Sequence, residues 1–320
     1  MIHTYNVVHN RLKPDDMDSG PDLDAVWIDL LDPTMQEVGP LGDHIGINIP
    51  DREDMEEIEI SSRLYRENSA VFMTAILPAH SDGDEPEMAP VTFILFGNQL
   101  ITVRYHDPRA FTTFPTQARR TAMHLPDADS ILIGLLEAII DRLADVLERA
   151  GRDIDAVSAT IFRGSEGEHK DFQGVLKKIG RQGDLNSNIR DSLVTLERLA
   201  SFLGSVTMDR ESSSDLRKRV KTLSNDARSL TDHSGFLSQK ITFMLDASLG
   251  MINIQQNATI KIFSVVAVIF LPPTLIASIY GMNFAHMPEL SWTFGYPAAI
   301  GLMIGAAILP YVYFKYRGWL

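Results

Sequence analysis

Tyr280-Gly281-Met282-Asn283 is where this chain most directly offers groups that could do chemistry. The segment presents a carboxamide just after an uncharged apolar stretch of 18 residues, Ile262 to Ile279. A carboxamide oxygen is a neutral ligand for a hard cation. A group of them could hold a hydrated ion without stripping its water or trapping it. Gly281 would let the backbone bend just before Asn283. Eighteen apolar residues are the minimum for a membrane-spanning helix. A second uncharged stretch, Tyr296 to Phe314, follows after a connection of about 16 residues from Tyr280 to Gly295. The tetrapeptide thus sits at the mouth of a span, where a pore would present its first ligands to an ion.

What must position these groups is the helix that leads into them. Steps of four and three along it give one row: Asp246, Gly250, Asn253, Asn257, Ile260, Ser264, Ala267, Leu271 and Thr274. The row is polar at its start and small or apolar within the bilayer. Small residues let helices approach closely inside lipid. Ile260, Phe263 and Leu271 could close a conduit by excluding water. A two-helix hairpin cannot enclose a conduit, so a pore needs several copies around an axis. Asn253 and Asn257 also read as interfacial residues outside the hydrocarbon, and the sequence leaves both readings open.

Upstream the same spacing continues on another face: Leu216, Val220, Leu223, Ala227, Leu230, Ser234, Leu237, Ile241 and Met244 form a heptad seam of the coiled-coil kind. The seam leads into the first span with no proline break before Pro272-Pro273, and one helix over Leu216 to Leu271 would be about 84 Å long at 1.5 Å per residue. Two earlier helices are expected. One follows the start signal Leu125-Pro126-Asp127, and the other spans Asp171 to Leu203. Residues 127–271 contain no proline, whereas residues 1–126 contain 11. That first part reads as α/β, with strands at Ala25–Leu30, Ala70–Leu77, Pro90–Phe96 and Gln99–Arg104. Gly97-Asn98 is the signal for a hairpin between the last two. The expected organisation is an α/β domain (1–126), a helical stalk (127–257) and two transmembrane helices (about 258–279 and 296–314) with a loop at 280–295. This makes an α+β/α-helical membrane protein.

Charge divides the same way. Residues 1–126 hold 21 acids and 9 bases, and residues 127–261 hold 20 and 18. Clusters such as Asp51-Arg52-Glu53-Asp54 and Asp82-Gly83-Asp84-Glu85 exclude nucleic acid as a partner and read either as solvated surface or as a face that attracts cations. No phosphate-cradling Gly-Lys-Ser/Thr loop points to a nucleotide. The nine histidines are scattered without His-x-x-x-His, and with no cysteine there is neither a disulfide nor a thiolate site. An enzyme is not expected. His286 reads as an interfacial loop residue or as a ligand at the mouth. The N-terminus lacks the basic and apolar regions of a secretory signal. Lys261 precedes the first span, Lys315 and Arg317 follow the second, and no Lys or Arg falls between 262 and 314. By the positive-inside rule both termini face the cytoplasm and the loop faces out.

Together these residues resemble the CorA family of magnesium channels. The resemblance rests on the Tyr-Gly-Met-Asn signature at 280–283, the continuation Met287-Pro288-Glu289-Leu290, the run Ile260–Thr274 and the ending Tyr313–Leu320. It implies a funnel-shaped homopentamer in a bacterial inner membrane, whose partners are its own copies, the lipid bilayer and divalent cations. In it the first span lines the pore, with Gly281, Met282 and Asn283 as selectivity filter and Asn283 as the outer ring. Asn257 forms an inner polar ring, Ile260, Phe263 and Leu271 line the apolar stretch, and Ser264, Ala267 and Thr274 complete the wall. Asp246 falls at an acidic ring below the membrane. The resemblance also implies gating by intracellular Mg²⁺ at acidic contacts between subunits, for which Asp84, Glu85, Glu87 and Asp226 are candidates. This chain departs from the family at Thr222, where some members carry the interfacial aspartate, and at Ala285, where many carry glutamate. The expected function is passive Mg²⁺ uptake, with Co²⁺ and Ni²⁺ as further cargo. The alternatives are a Zn²⁺ transporter of the same superfamily and a non-conducting membrane-tethered sensor or scaffold.

Overall fold

A computed structural model describes the chain except residues 16–20, 84–85, 122–125, 164–170, 211, 284–286 and 320. It divides into two compact units, Met1–Leu245 and Asp246–Leu320. The first unit therefore holds the α/β part and the helical part together, and the boundary expected at 126 lies inside it.

The first unit is built on a seven-stranded sheet of order β2-β1-β3-β7-β6-β5-β4. Its strands are β1 (Ile2–Val8), β2 (Arg11–Pro14), β3 (Trp27–Leu31), β4 (Leu64–Glu67), β5 (Ala70–Ala79), β6 (Glu87–Phe96) and β7 (Gln99–Arg104). Only β3 and β7 run parallel. The four expected strands are present, with Gln99–Arg104 bounded as read. The hairpin between β6 and β7 turns at Gly97, whose φ of 53° suits a residue without Cβ.

Alternate residues face opposite layers. Ile28, Leu30, Phe72, Ile94 and Val103 pack under Leu41 and Ile45 of α1 (Met35–Ile45) and Met55 of α2 (Arg52–Glu56). Trp27, Met73, Val91, Phe93 and Leu100 face the longer helices: α4 (Ala110–Arg120), α5 (Ala128–Arg163), α6 (Phe172–Asp209) and the start of α7 (Ser214–Tyr280). A short α3 (Ile60–Arg63) completes the unit. Two helices open on aspartate caps, as the start signals require. The Asp127 carboxylate accepts from the Ser130 amide at 2.8 Å and Asp171 from the Gly174 amide at 2.9 Å.

The heptad seam of α7 is covered by its own chain. Leu216, Val220, Leu223, Ala227, Ser234, Leu237 and Met244 are buried, and Leu230 packs against the same core. Asn186 of α6 donates to the Ser234 carbonyl at 3.0 Å, and the Ser234 hydroxyl donates to the Asn186 amide oxygen at 3.1 Å. On the α5 side, Arg219 pairs with Glu137 at 2.7 Å and Lys240 with Asp155 at 2.6 Å. The coiled-coil spacing thus marks an intrachain three-helix contact, because α6 returns antiparallel and α5 runs parallel beside α7, and together they present the apolar stripe it needs.

The second unit contains the rest of α7, a 3₁₀ turn at Pro288–Ser291 and α8 (Gly295–Tyr316). α7 continues through Pro272 and Pro273 to Tyr280, where the first span was expected to end at about 279. Each proline removes an amide donor, so the Val268 and Ile269 carbonyls lose their intrahelical partners. The rest of the ladder carries the helix on. The most apolar 18-residue windows of α7 and α8 have mean hydropathies of 2.3 and 1.7, and only 6% of each window is buried. Both helices are long and apolar enough to cross a membrane.

Candidate cation site at the end of the first span

The helix ends in the way that presents Asn283. The Gly281 amide donates to the Ala277 carbonyl at 2.9 Å and the Met282 amide to Ile279 at 3.2 Å, closing the last turn of α7. Asn283 follows outside any element and is exposed. Among the described residues its carboxamide has no hydrogen-bond partner, so both polar atoms are available to solvent or to an ion. The chain turns at Gly281 and bends at Met282, just before Asn283, without Gly281 taking a positive φ. Gly281 is needed for closeness: a Cβ there would stand 3.2 Å from the Ala277 carbonyl oxygen, tighter than side chains normally sit. Sequence reading passed over Gly295. A Cβ at that position would overlap the Glu289 carbonyl, where the 3₁₀ turn folds back before α8.

Asn257, Ile260, Phe263, Ser264, Ala267, Leu271 and Thr274 are all exposed within the unit. The covered positions of α7 are different ones: Val265 is buried and Ile269, Pro272, Pro273 and Ile276 are half-buried. At about 100° per residue, the exposed row lies roughly 140° around the helix from this covered face. Thr274 donates its hydroxyl to the Phe270 carbonyl at 2.7 Å, so its oxygen can only accept along the row. The row therefore carries carboxamides at Asn253 and Asn257, an accepting hydroxyl at Thr274, and apolar or small side chains between them, and Asn283 lies just past the end of its helix.

The regulatory candidates are not gathered. Glu87 pairs with His80 at 3.8 Å. Asp226 acts on Asp141 of α5, whose carboxyl is pushed up first by burial and then by Glu137, Asp145 and Asp226. Asp246 is exposed in the second unit, and Asp84 and Glu85 lie outside the described residues, as does His286. Among the described residues no three acid or histidine side chains come together as a metal site. Beside Asp84 stands a feature the sequence did not announce. The Asp82 carboxylate accepts from Arg109 and Arg149 at 2.6 Å and from Arg142 at 2.7 Å. The Arg142 hydrogen bond foremost, with Arg149, holds the Asp82 carboxyl down at about 2. The turn at 81–83 is thereby fastened to α4 and α5.

An α/β unit followed by two helices long and apolar enough to cross a membrane is the architecture of a membrane protein with a large domain outside the bilayer. The sequence model of the CorA-like Mg²⁺ transporter proteins matches residues 22–316, and the chain belongs to that family. It is 37% identical over 321 residues to the magnesium transport protein CorA of Mannheimia succiniciproducens and 36% identical to that of Yersinia pseudotuberculosis, with all of each chain covered. Its fold is that of the CorA magnesium transporter of Methanocaldococcus jannaschii: the TM-score is 0.77 at 21% identity, over 100% of this chain and 98% of the other.

Proposed function

We propose that this chain is a passive divalent-cation channel that carries Mg²⁺ inward across the bacterial inner membrane, with Co²⁺ and Ni²⁺ as lesser cargo. The observation that carries the reading is the exposed row on α7. It links two carboxamide positions along a helix fit to cross the bilayer, on a face that its own hairpin leaves open. Five copies around an axis would bring these rows together. Asn283 would then form an outer ring of neutral oxygens that holds the hydrated ion, and Asn257 an inner one. Ile260, Phe263 and Leu271 form the apolar stretch that closes by dewetting. Lys261, Lys315 and Arg317 keep both termini in the cytoplasm. The membrane potential drives the ion by about 2.3 kcal/mol per charge per 100 mV, roughly twice that for a divalent cation. Carboxylates at Asp84, Glu85, Glu87, Asp226 and Asp246 come within reach of a regulatory Mg²⁺ only between neighbouring copies.

The test is Mg²⁺ flux into liposomes carrying the purified protein. Asn283→Ala should lower that flux at least about tenfold, and raising Mg²⁺ on the cytoplasmic side should lower it in the unaltered chain. Unchanged flux in Asn283→Ala would sink the assignment of the filter. Competition between Zn²⁺ and Mg²⁺ separates this reading from a zinc transporter.

A further inference from the structure

After α8 the chain reverses through a helix-ending motif that fixes its penultimate residue. Gly318 takes φ 69° and donates to the Lys315 carbonyl at 3.2 Å, and Trp319 donates to the Phe314 carbonyl at 3.0 Å. This is the paired hydrogen bonding of a Schellman turn, with glycine where the left-handed residue must sit. The side-chain contact that accompanies such a turn is present as well: the Trp319 and Phe314 rings stack with centroids 5.4 Å apart. Trp319, still 46% exposed, is thus held by two backbone bonds at its root and one ring contact. Its indole meets the Lys261 ammonium on α7, 5.7 Å from the ring centroid, within the range of a cation–π interaction.

Lys261 sits at a boundary. At 100° per residue it is about 40° around α7 from Asn257, four residues earlier, and about 40° on the other side from buried Val265, four residues later. Helical side chains lean toward the N-terminus. An untethered lysine would therefore extend its ammonium alongside Asn257 and repel a divalent cation there. The lysine is nonetheless useful at this depth as an interfacial anchor, and it shares the orienting charge with Lys315 and Arg317, which remain when it is replaced.

We propose that Trp319 is a positioning residue for conduction: it clasps the Lys261 ammonium against α8 and so keeps that charge off the polar row at the cytoplasmic end of the first span. The inference rests on the reading of α7 as the pore-lining helix. It predicts that the charge of Lys261, and not the bulk of Trp319, is what matters.

The experiment measures Mg²⁺ flux in liposomes with the full-length chain and its variants, matched for protein content and oligomer profile. Trp319→Ala should lower flux about two- to fivefold, the population shift expected when an exposed cation–π contact is lost. Trp319→Phe, with a weaker ring face, should fall between. Lys261→Gln should conduct like the unaltered chain, and Trp319→Ala combined with Lys261→Gln should return to that level. A Trp319→Ala variant that conducts normally overturns the clasp. So does a defect that persists in the double variant, because then Trp319 supports the helix pair and not the charge. In both of those cases the unaltered chain still conducts, whereas absence of Mg²⁺ flux in it overturns the channel reading and the clasp together.

Discussion

Two stretches of one helix share a spacing and differ in everything else. From Leu216 to Met244 the four-three row of α7 is buried or half-buried under α5 and α6. From Asp246 to Thr274 every member of the row is exposed. Periodicity names a face and leaves the partner unnamed. What covers the first row is the same chain, since α6 returns antiparallel and α5 runs parallel beside it. The second row has only α8 within its unit, and the covered positions beginning at Val265 turn another face toward that hairpin. The rows also differ in chemistry. The first is Leu, Val, Ala and Met around one hydrogen-bonded Ser234, and the second alternates carboxamides, small residues and isolated apolar ones. A covered row must fill space, and an open row is free to carry ligands.

The comparison breaks first under a buried charge. Leu223→Asp places an unpaired carboxylate among Leu216, Val220 and Ala227, and should cost about 4 kcal/mol or more. Thermal unfolding or limited proteolysis in detergent would register this as loss of the folded first unit. Leu271→Asn, on the open row, removes no packing within the chain and should move the melting temperature little. Its effect should appear in flux, as conduction that no longer falls when internal Mg²⁺ rises, because a wetted constriction cannot close. If Leu271→Asn unfolds the chain as Leu223→Asp does, the two rows are alike and the second is a packing face.

Acid offers a milder way to separate the units. His106 is 5% exposed and its Nε2 hydrogen-bonds the Leu77 carbonyl at 2.8 Å, so that nitrogen carries the proton. Nδ1 is buried and has no partner among the described residues. Burial pushes the His106 pKa below its ordinary value, with Arg104 adding to the shift and Glu87 and Asp107 opposing it. The folded value lies below the unfolded one of about 6.5. The unfolded chain therefore binds the proton more readily, and stability is full above that pH and lost as pH falls toward the folded value. The melting temperature of the first unit should drop by a few degrees between pH 7 and 5. In His106→Gln the drop should be smaller, and an equal drop would place the acid sensitivity elsewhere.

How much was legible in the sequence follows from how local each signal is. Three two-residue hairpins shape the sheet, and only the one with glycine was read. The other two turn at His9-Asn10, with φ of 51° and 57°, and at Asn68-Ser69, with 46° and 66°. Asparagine tolerates the left-handed region, but histidine and serine conceal it, so β1, β2 and β4 went unseen. Helices α1 and α4 were hidden by internal Pro40 and Pro115. The Tyr280–Asn283 segment stood out in the sequence because it needs only four adjacent residues after an apolar run. The acids proposed as regulatory have no such local signal, since Glu87 lies on β6 and Asp226 and Asp246 stand twenty positions apart on α7. The Asp82 cluster escaped for that reason too: its three arginines lie 27, 60 and 67 positions away.

The finest test of the comparison is a single methyl group placed on each row's surroundings. At Gly183 of α6 an added Cβ would stand 3.7 Å from Ile241 of the seam, an ordinary contact. At Gly250, on the open row, it would meet nothing within 4 Å. Alanine in a helix interior gains about 0.5–1 kcal/mol over glycine, so Gly183→Ala should stabilise the chain by roughly that amount in any oligomeric state. Gly250→Ala should do the same only while its face is bare. If other copies pack close on that row, the methyl stands where small residues permit helix contact and the gain turns into a loss. Melting temperatures of the two variants in detergent, read beside cross-linked oligomer fractions, give the sign. A gain at Gly183 with a loss at Gly250 means that the open row is closed by its own copies, and a gain at both means that this part of it faces solvent.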